Sequence, residues 1–182
     1  MPTIYDNIEK YLEEGLNRTL ETSKRADFCI GYFNLRGWRK IANCIENLDG
    51  DFLPDEYEDD TKYYCRVLVG MQKLPDDEIR SFFTGQSQKL IDNTLAAELR
   101  KKIAREFREQ LIIGNPTNED EKALKTLAQQ LRKKKVIVKL YLKHTLHAKL
   151  YLAYRQDYNS PLVGFVGSSN LTFSGISKQG EL

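Results

Sequence analysis

Histidine is nearly absent from this chain: two residues, His144 and His147, among 182. Cysteine is little commoner, at Cys29, Cys44 and Cys65. Their number is odd, and their spacing fits neither a metal site nor a disulfide framework. Cys29 and Cys65 lie inside apolar runs, so reduced, buried thiols in a cytoplasmic compartment are the expectation. No apolar run approaches the ~20 residues of a membrane-spanning helix, and residues 1–6 carry no signal-peptide pattern. Neither a lipidation signal nor a strongly amphipathic membrane helix is present, which argues against a lipid surface as partner. A Gly-x-x-x-x-Gly-Lys-Ser/Thr loop is lacking, as are internal repeats and low-complexity linkers.

What is there suits a globular α/β domain. Apolar residues make up 41% and charged residues 30% of the chain, with a net charge of +2, and the length suffices for one domain with a real core. From Thr3, a plausible N-cap, apolar residues recur every four positions (Ile4, Ile8, Leu12, Leu16, Leu20), which predicts an amphipathic helix. Residues 26–33 read as a strand. Residues 34–37 turn the chain into a helix bearing Trp38, Ile41, Ala42, Ile45 and Leu48, with Trp38 as a core aromatic. Residues 49–60 hold seven acids and no base. Like charges repel, so a solvated loop is expected, and no EF-hand spacing is present. Residues 63–69 form a second strand. Residues 75–78 begin a short helix, and 87–113 carry the longest helical pattern, with a basic middle. Residues 118–131 read as another helix, and 136–142, 146–154 and 162–166 as strands, the last two joined by a polar turn into an antiparallel hairpin. A mixed sheet flanked by helices on both faces follows.

The stretch with chemical content is residues 146–152, Leu-His-Ala-Lys-Leu-Tyr-Leu. Strand alternation puts His147, Lys149 and Tyr151 on one face. Leu146, Ala148, Leu150 and Leu152 share the other, which reads as the face packed on helices. The next strand ends in Gly167-Ser168-Ser169-Asn170, where Ser168 and Asn170 are again two apart. An imidazole, an ammonium, a hydroxyl and an amide then converge. That set suits a phosphate, with donors for its oxygens and a nitrogen nucleophile for its phosphorus.

His147-x-Lys149 followed by Gly167-Ser168-x-Asn170 resembles the signature of the phospholipase D superfamily. Glu181 lies eleven residues beyond Asn170, as in the nuclease members. The departure is at the signature's acid, five residues past the lysine, where this chain has Tyr154. The resemblance implies a phospholipase D-like α/β domain over residues 1–182 and a metal-independent phosphodiesterase. In that reading His147 attacks phosphorus and forms a phosphohistidine that water cleaves. Lys149 and Asn170 hold phosphoryl oxygens, Ser168 donates a hydrogen bond, and Glu181 orients an imidazole. No metal or cofactor is implied.

One copy of the motif is half a site in this family, where a second histidine protonates the leaving oxygen. His144 is followed by Thr145 and Leu146 and lacks a partner lysine. The other half is therefore expected from a second copy of the chain or from residues beyond Leu182, an isologous homodimer being the simpler solution. Residues 132–149 contain seven bases and no acid (Arg132, Lys133, Lys134, Lys135, Lys139, Lys143, Lys149). They read either as a solvated surface or as a phosphate-backbone track leading to the site, with DNA or RNA as partner. Residues 30–38 with 167–172 and 179–182 are similar to the front domain of bacterial superfamily 2 helicases. The chain is thus expected to be the N-terminal part of a longer protein, in which ATP and magnesium would belong to motor domains. The alternative is a catalytically silent nucleic-acid-binding module that uses the same pocket.

Overall fold

The alternating apolar runs become strands, and their pairing fixes the fold. The computed structural model describes residues 2–52, 62–70, 117–141 and 146–177, with helical positions at Asn93, Thr94, Ala97, Lys101 and Arg105. Five strands, β1 (Ser23–Ile30), β2 (Cys65–Gly70), β3 (Val136–Tyr141), β4 (Lys149–Arg155) and β5 (Leu162–Val166), form one sheet in the order β3-β2-β1-β4-β5. The first three run parallel, while β4 is antiparallel to both β1 and β5. The expected hairpin is the β4–β5 pair. Helices α1 (Leu12–Leu20), α2 (Leu35–Glu46), α3 (Asn118–Arg132) and the single turn α4 (Phe173–Ser177) complete an α/β chain.

These four helices of the described residues feed one core. Leu16 and Leu20 of α1, Trp38, Ile41 and Ile45 of α2, Ala123 and Leu127 of α3 and Ile176 of α4 are buried with Ala26, Phe28, Ile30, Val67, Tyr151 and Ala153 of the sheet. Alternation assigns those sheet residues to one face. The helix expected over 87–113 lies almost wholly outside the described residues, as does the one at 75–78. Trp38 is a core aromatic: its indole N–H donates to Gln130 Oε1 at 2.9 Å, and Gln130 Nε2 donates to the Ala42 carbonyl at 2.9 Å. A fully buried glutamine thus has its amide satisfied between α2 and α3, as a polar group in a core requires.

Two expectations need correction. The first helix begins at Leu12, not after Thr3, and Ile4 and Ile8 are 81% and 62% exposed. The cause is local side-chain competition for backbone N–H groups. Asp6 Oδ1 accepts from Ile8, Glu9 and Lys10 at 2.9–3.1 Å. Buried Asn7 adopts a left-handed φ of 56°. Its Oδ1 accepts the Leu12 N–H at 2.9 Å and so caps the helix, while its Nδ2 donates to the Gly175 carbonyl. The N–H groups of Ile8 and Lys10 hold the Asp6 carboxyl below its usual range.

The second correction concerns β4, which starts at Lys149 rather than Leu146. Its buried residues are Tyr151 and Ala153, on the Lys149 face, whereas Leu150 and Leu152 are half-buried. The helix-packed side is therefore opposite to the one expected. Tyr151 pairs across from Phe28 and meets its ring edge-on, 5.2 Å between centroids. That aromatic contact decides the face.

Candidate functional site

Because β4 runs against β1, its first residues stand at the carboxyl ends of the parallel strands, where open α/β sheets hold ligands. Lys149 pairs with Ile30 of β1 on one side, and its carbonyl accepts the Gly167 N–H at 3.2 Å on the other. The two halves of the motif therefore meet at one sheet edge through backbone bonds. His147, just ahead of β4, is exposed, Lys149 is half-buried, and the Lys149 ammonium donates to the His147 carbonyl at 3.1 Å.

The Gly167–Asn170 loop is tied down from three sides. Asn170 Oδ1 accepts the backbone N–H of Tyr32 at 3.0 Å. The Tyr151 hydroxyl donates to the Ser169 carbonyl at 2.8 Å. Phe33 and Leu171 form a parallel bridge, and the Asn34 N–H reaches the Leu171 carbonyl at 3.1 Å. A backbone N–H only donates, so the bond to Tyr32 fixes Asn170's oxygen and leaves its NH2 group as the end with donors to offer. Burial pushes the Tyr151 phenol well above its ordinary pKa.

Close backbone approaches set the position of both halves. A Cβ at Gly70, where β2 ends, would collide with the backbone and side chain of Leu146, immediately before His147. A Cβ at Gly37 would lie 2.5 Å from the Leu171 carbonyl oxygen, and one at Gly175 2.5 Å from that of Asn170. These glycines let the segment before His147 and the loop bearing Asn170 sit close against the sheet end and α2. By contrast, a Cβ at Gly167 would meet nothing within 4 Å.

Of the expected site residues, His147, Lys149, Ser168 and Asn170 share this edge, with Ser168 exposed and Asn170 half-buried. Glu181 and His144 lie outside the described residues. Tyr154, at the post of the motif's acid, sits on β4 opposite Arg25, whose guanidinium is 3.7 Å from the ring centroid. A carboxylate is nonetheless present, delivered by β1. Asp27 accepts two bonds of 2.7 Å from Arg66 and one of 3.2 Å from Arg25. Burial first, then the Asp27 charge, raises the Tyr154 pKa, and a hydrogen bond between the two side chains adds to this. Arg25 Nε is buried with no hydrogen-bond partner among the described residues. The sequence reading missed Asp27, Arg66 and Gly70. Alternating polar residues in β1 and β2 were the available signal for the first two.

The basic track is only partly at the site. Arg132–Lys135 precede β3, and Cys65 at the start of β2 pairs with Val136. These bases therefore stand at the amino ends of the parallel strands, about 17 Å of strand away from the His147 edge. Lys135 serves the fold, donating to the carbonyls of Glu46, the last residue of α2, and Leu48 at 3.1 and 3.0 Å. Lys133 pairs with Glu46 at 3.3 Å. Lys143 lies outside the described residues. Among those residues no three His, Cys, Asp or Glu side chains gather as a metal site would require, no helix is long and apolar enough to cross a membrane, and Cys29, Cys44 and Cys65 are free thiols. No family model and no curated protein matches the chain.

Proposed function

We propose that the chain is a phospholipase D-like phosphodiesterase domain acting on nucleic acid. The observation that carries this reading is the Tyr32 N–H to Asn170 Oδ1 bond beside the Ile30–Lys149 pair. It brings an amide, an ammonium and an exposed imidazole to one edge. In the proposed reaction a ring nitrogen of His147 attacks phosphorus, and the phosphorus–oxygen bond to the leaving group breaks. An acid protonates the departing oxygen, and water then cleaves the phosphohistidine. The Lys149 ammonium and the Asn170 NH2 group stabilise charge building on the phosphoryl oxygens. Within a longer helicase-type protein, such a domain would serve as a nuclease head.

The test is cleavage of an activated phosphodiester or of DNA in the presence of EDTA. Wild-type protein is expected to turn over and His147→Ala to be inactive. Turnover that requires added metal, or that survives the substitution, would overturn the reading. A second reading, a binding module without catalysis, is favoured by Tyr154 in place of the motif's acid. It is selected if DNA or RNA binds with salt-sensitive affinity, without turnover, and equally well to His147→Ala.

A further inference from the structure

Tyr32 stands between buried Gly31 and Phe33 at the end of β1, yet is 41% exposed. A single exposed aromatic is unremarkable by itself; its place is what gives it meaning. Its own N–H is the donor that orients Asn170. Counted on from the Ile30–Lys149 pair, Tyr32 and His147 are each two positions along, at the same sheet edge. The sheet order places β4 between β1 and β5, so the phosphate-binding groups at the start of β4 have Tyr32 on one side. On the other is Val166, which is 83% exposed.

We infer that Tyr32 is a base-stacking platform and that the site takes single-stranded nucleic acid. The inference rests on the phosphodiester reading above and deepens it by naming the form of the substrate. A strand whose phosphate rests on Lys149 and Asn170 carries the adjoining base within one nucleotide's length of the Tyr32 backbone. Every base offers a π-face, so an aromatic ring there gains affinity without reading sequence. A duplex keeps its bases stacked on one another and offers such a ring only sugar and phosphate.

The experiment is fluorescence anisotropy at low salt with the full chain. The probes are a labelled oligothymidylate of roughly 10 nucleotides, an abasic oligonucleotide of equal length, and a duplex. Tyr32→Ala should weaken oligothymidylate binding about 5- to 150-fold, the range of one lost base–aromatic stack. The abasic strand should bind Tyr32→Ala and wild type alike, and Tyr32→Phe should bind oligothymidylate like wild type. Lys149→Ala should weaken both single strands. The inference is overturned if Tyr32→Ala binds oligothymidylate normally, if it loses the abasic strand equally, or if wild type prefers the duplex. Where Lys149→Ala still weakens binding in those cases, the phosphodiester reading survives. Wild-type protein that binds none of the probes overturns both.

Discussion

Two side chains on β4 show how single groups hold the site. Tyr151 lies in the core with its hydroxyl on the Ser169 carbonyl, and burial raises its pKa from an ordinary 10.0. Its folded-state pKa exceeds the unfolded one, so its contribution to stability is complete below pH 10 and declines as pH rises beyond that. The slope is about 1.4 kcal/mol per pH unit for one such group. Urea unfolding followed from pH 8 upward should show this alkaline loss, and Tyr151→Phe should flatten it. The same substitution should cost about 1 kcal/mol near neutrality, through the lost bond. An unchanged alkaline slope would remove Tyr151 as its source. Asp27 bears on the second side chain, Tyr154. It holds Arg25, whose side chain is almost fully buried, and half-shielded Arg66. Asp27→Asn removes the carboxylate charge that both guanidinium groups share. Discounted for the exposure of Arg66, the expected cost is roughly 2–3 kcal/mol. A loss under about 0.5 kcal/mol by urea denaturation would show that the network adds nothing beyond surface pairs.

At the scale of elements, the junction of β2 with the segment before β4 sets where His147 stands. A methyl group at Gly70 has no room against Leu146, and the obstacle includes backbone, which yields less readily than a side-chain tip. Gly70→Ala should therefore displace the segment carrying His147 and lower stability by about 1–3 kcal/mol. Turnover, or phosphate-dependent binding, should fall further than it does in a core variant of equal stability such as Ile41→Val, which separates displacement from simple loosening. Equal effects in the two variants would rule out a positioning role. The strands themselves were legible from β-branched and aromatic runs, and so was the motif, because its halves lie close in sequence. The buried face of β4 was not, because both faces are apolar: Tyr151 and Ala153 on one, Leu150 and Leu152 on the other. Nor was the start of α1, where the fourfold period of Ile4, Ile8 and Leu12 was outweighed by the bonds of Asp6 and Asn7. The tie between Tyr32 and Asn170 spans 138 positions, and local pattern carries no trace of it.

At the scale of the whole molecule, charge and assembly are the open dimensions of the site. The four-base run at 132–135 sits at the far end of the sheet and partly serves α2. Among the described residues, electrostatic attraction at the His147 edge therefore comes from few groups, which a second copy would double. Displacement at phosphorus also needs an acid in line with the attacking base, and His147 is the one histidine at this edge among the described residues. One imidazole can fill both roles only by carrying a proton around the phosphate, which a fixed ring disfavours. A two-fold axis would supply a second His147, a second Lys149 and a second Asn170 from the same sequence. The expected state is a dimer by sedimentation or light scattering. Wild-type and His147→Ala chains, unfolded and refolded together in equal amounts, then give a decisive count. If both imidazoles are required, turnover per total chain falls to about a quarter of wild type, since only dimers of two wild-type chains work. Chains acting alone give about half. A monomer with full turnover would exclude the pairing, whatever the mixed-chain rate.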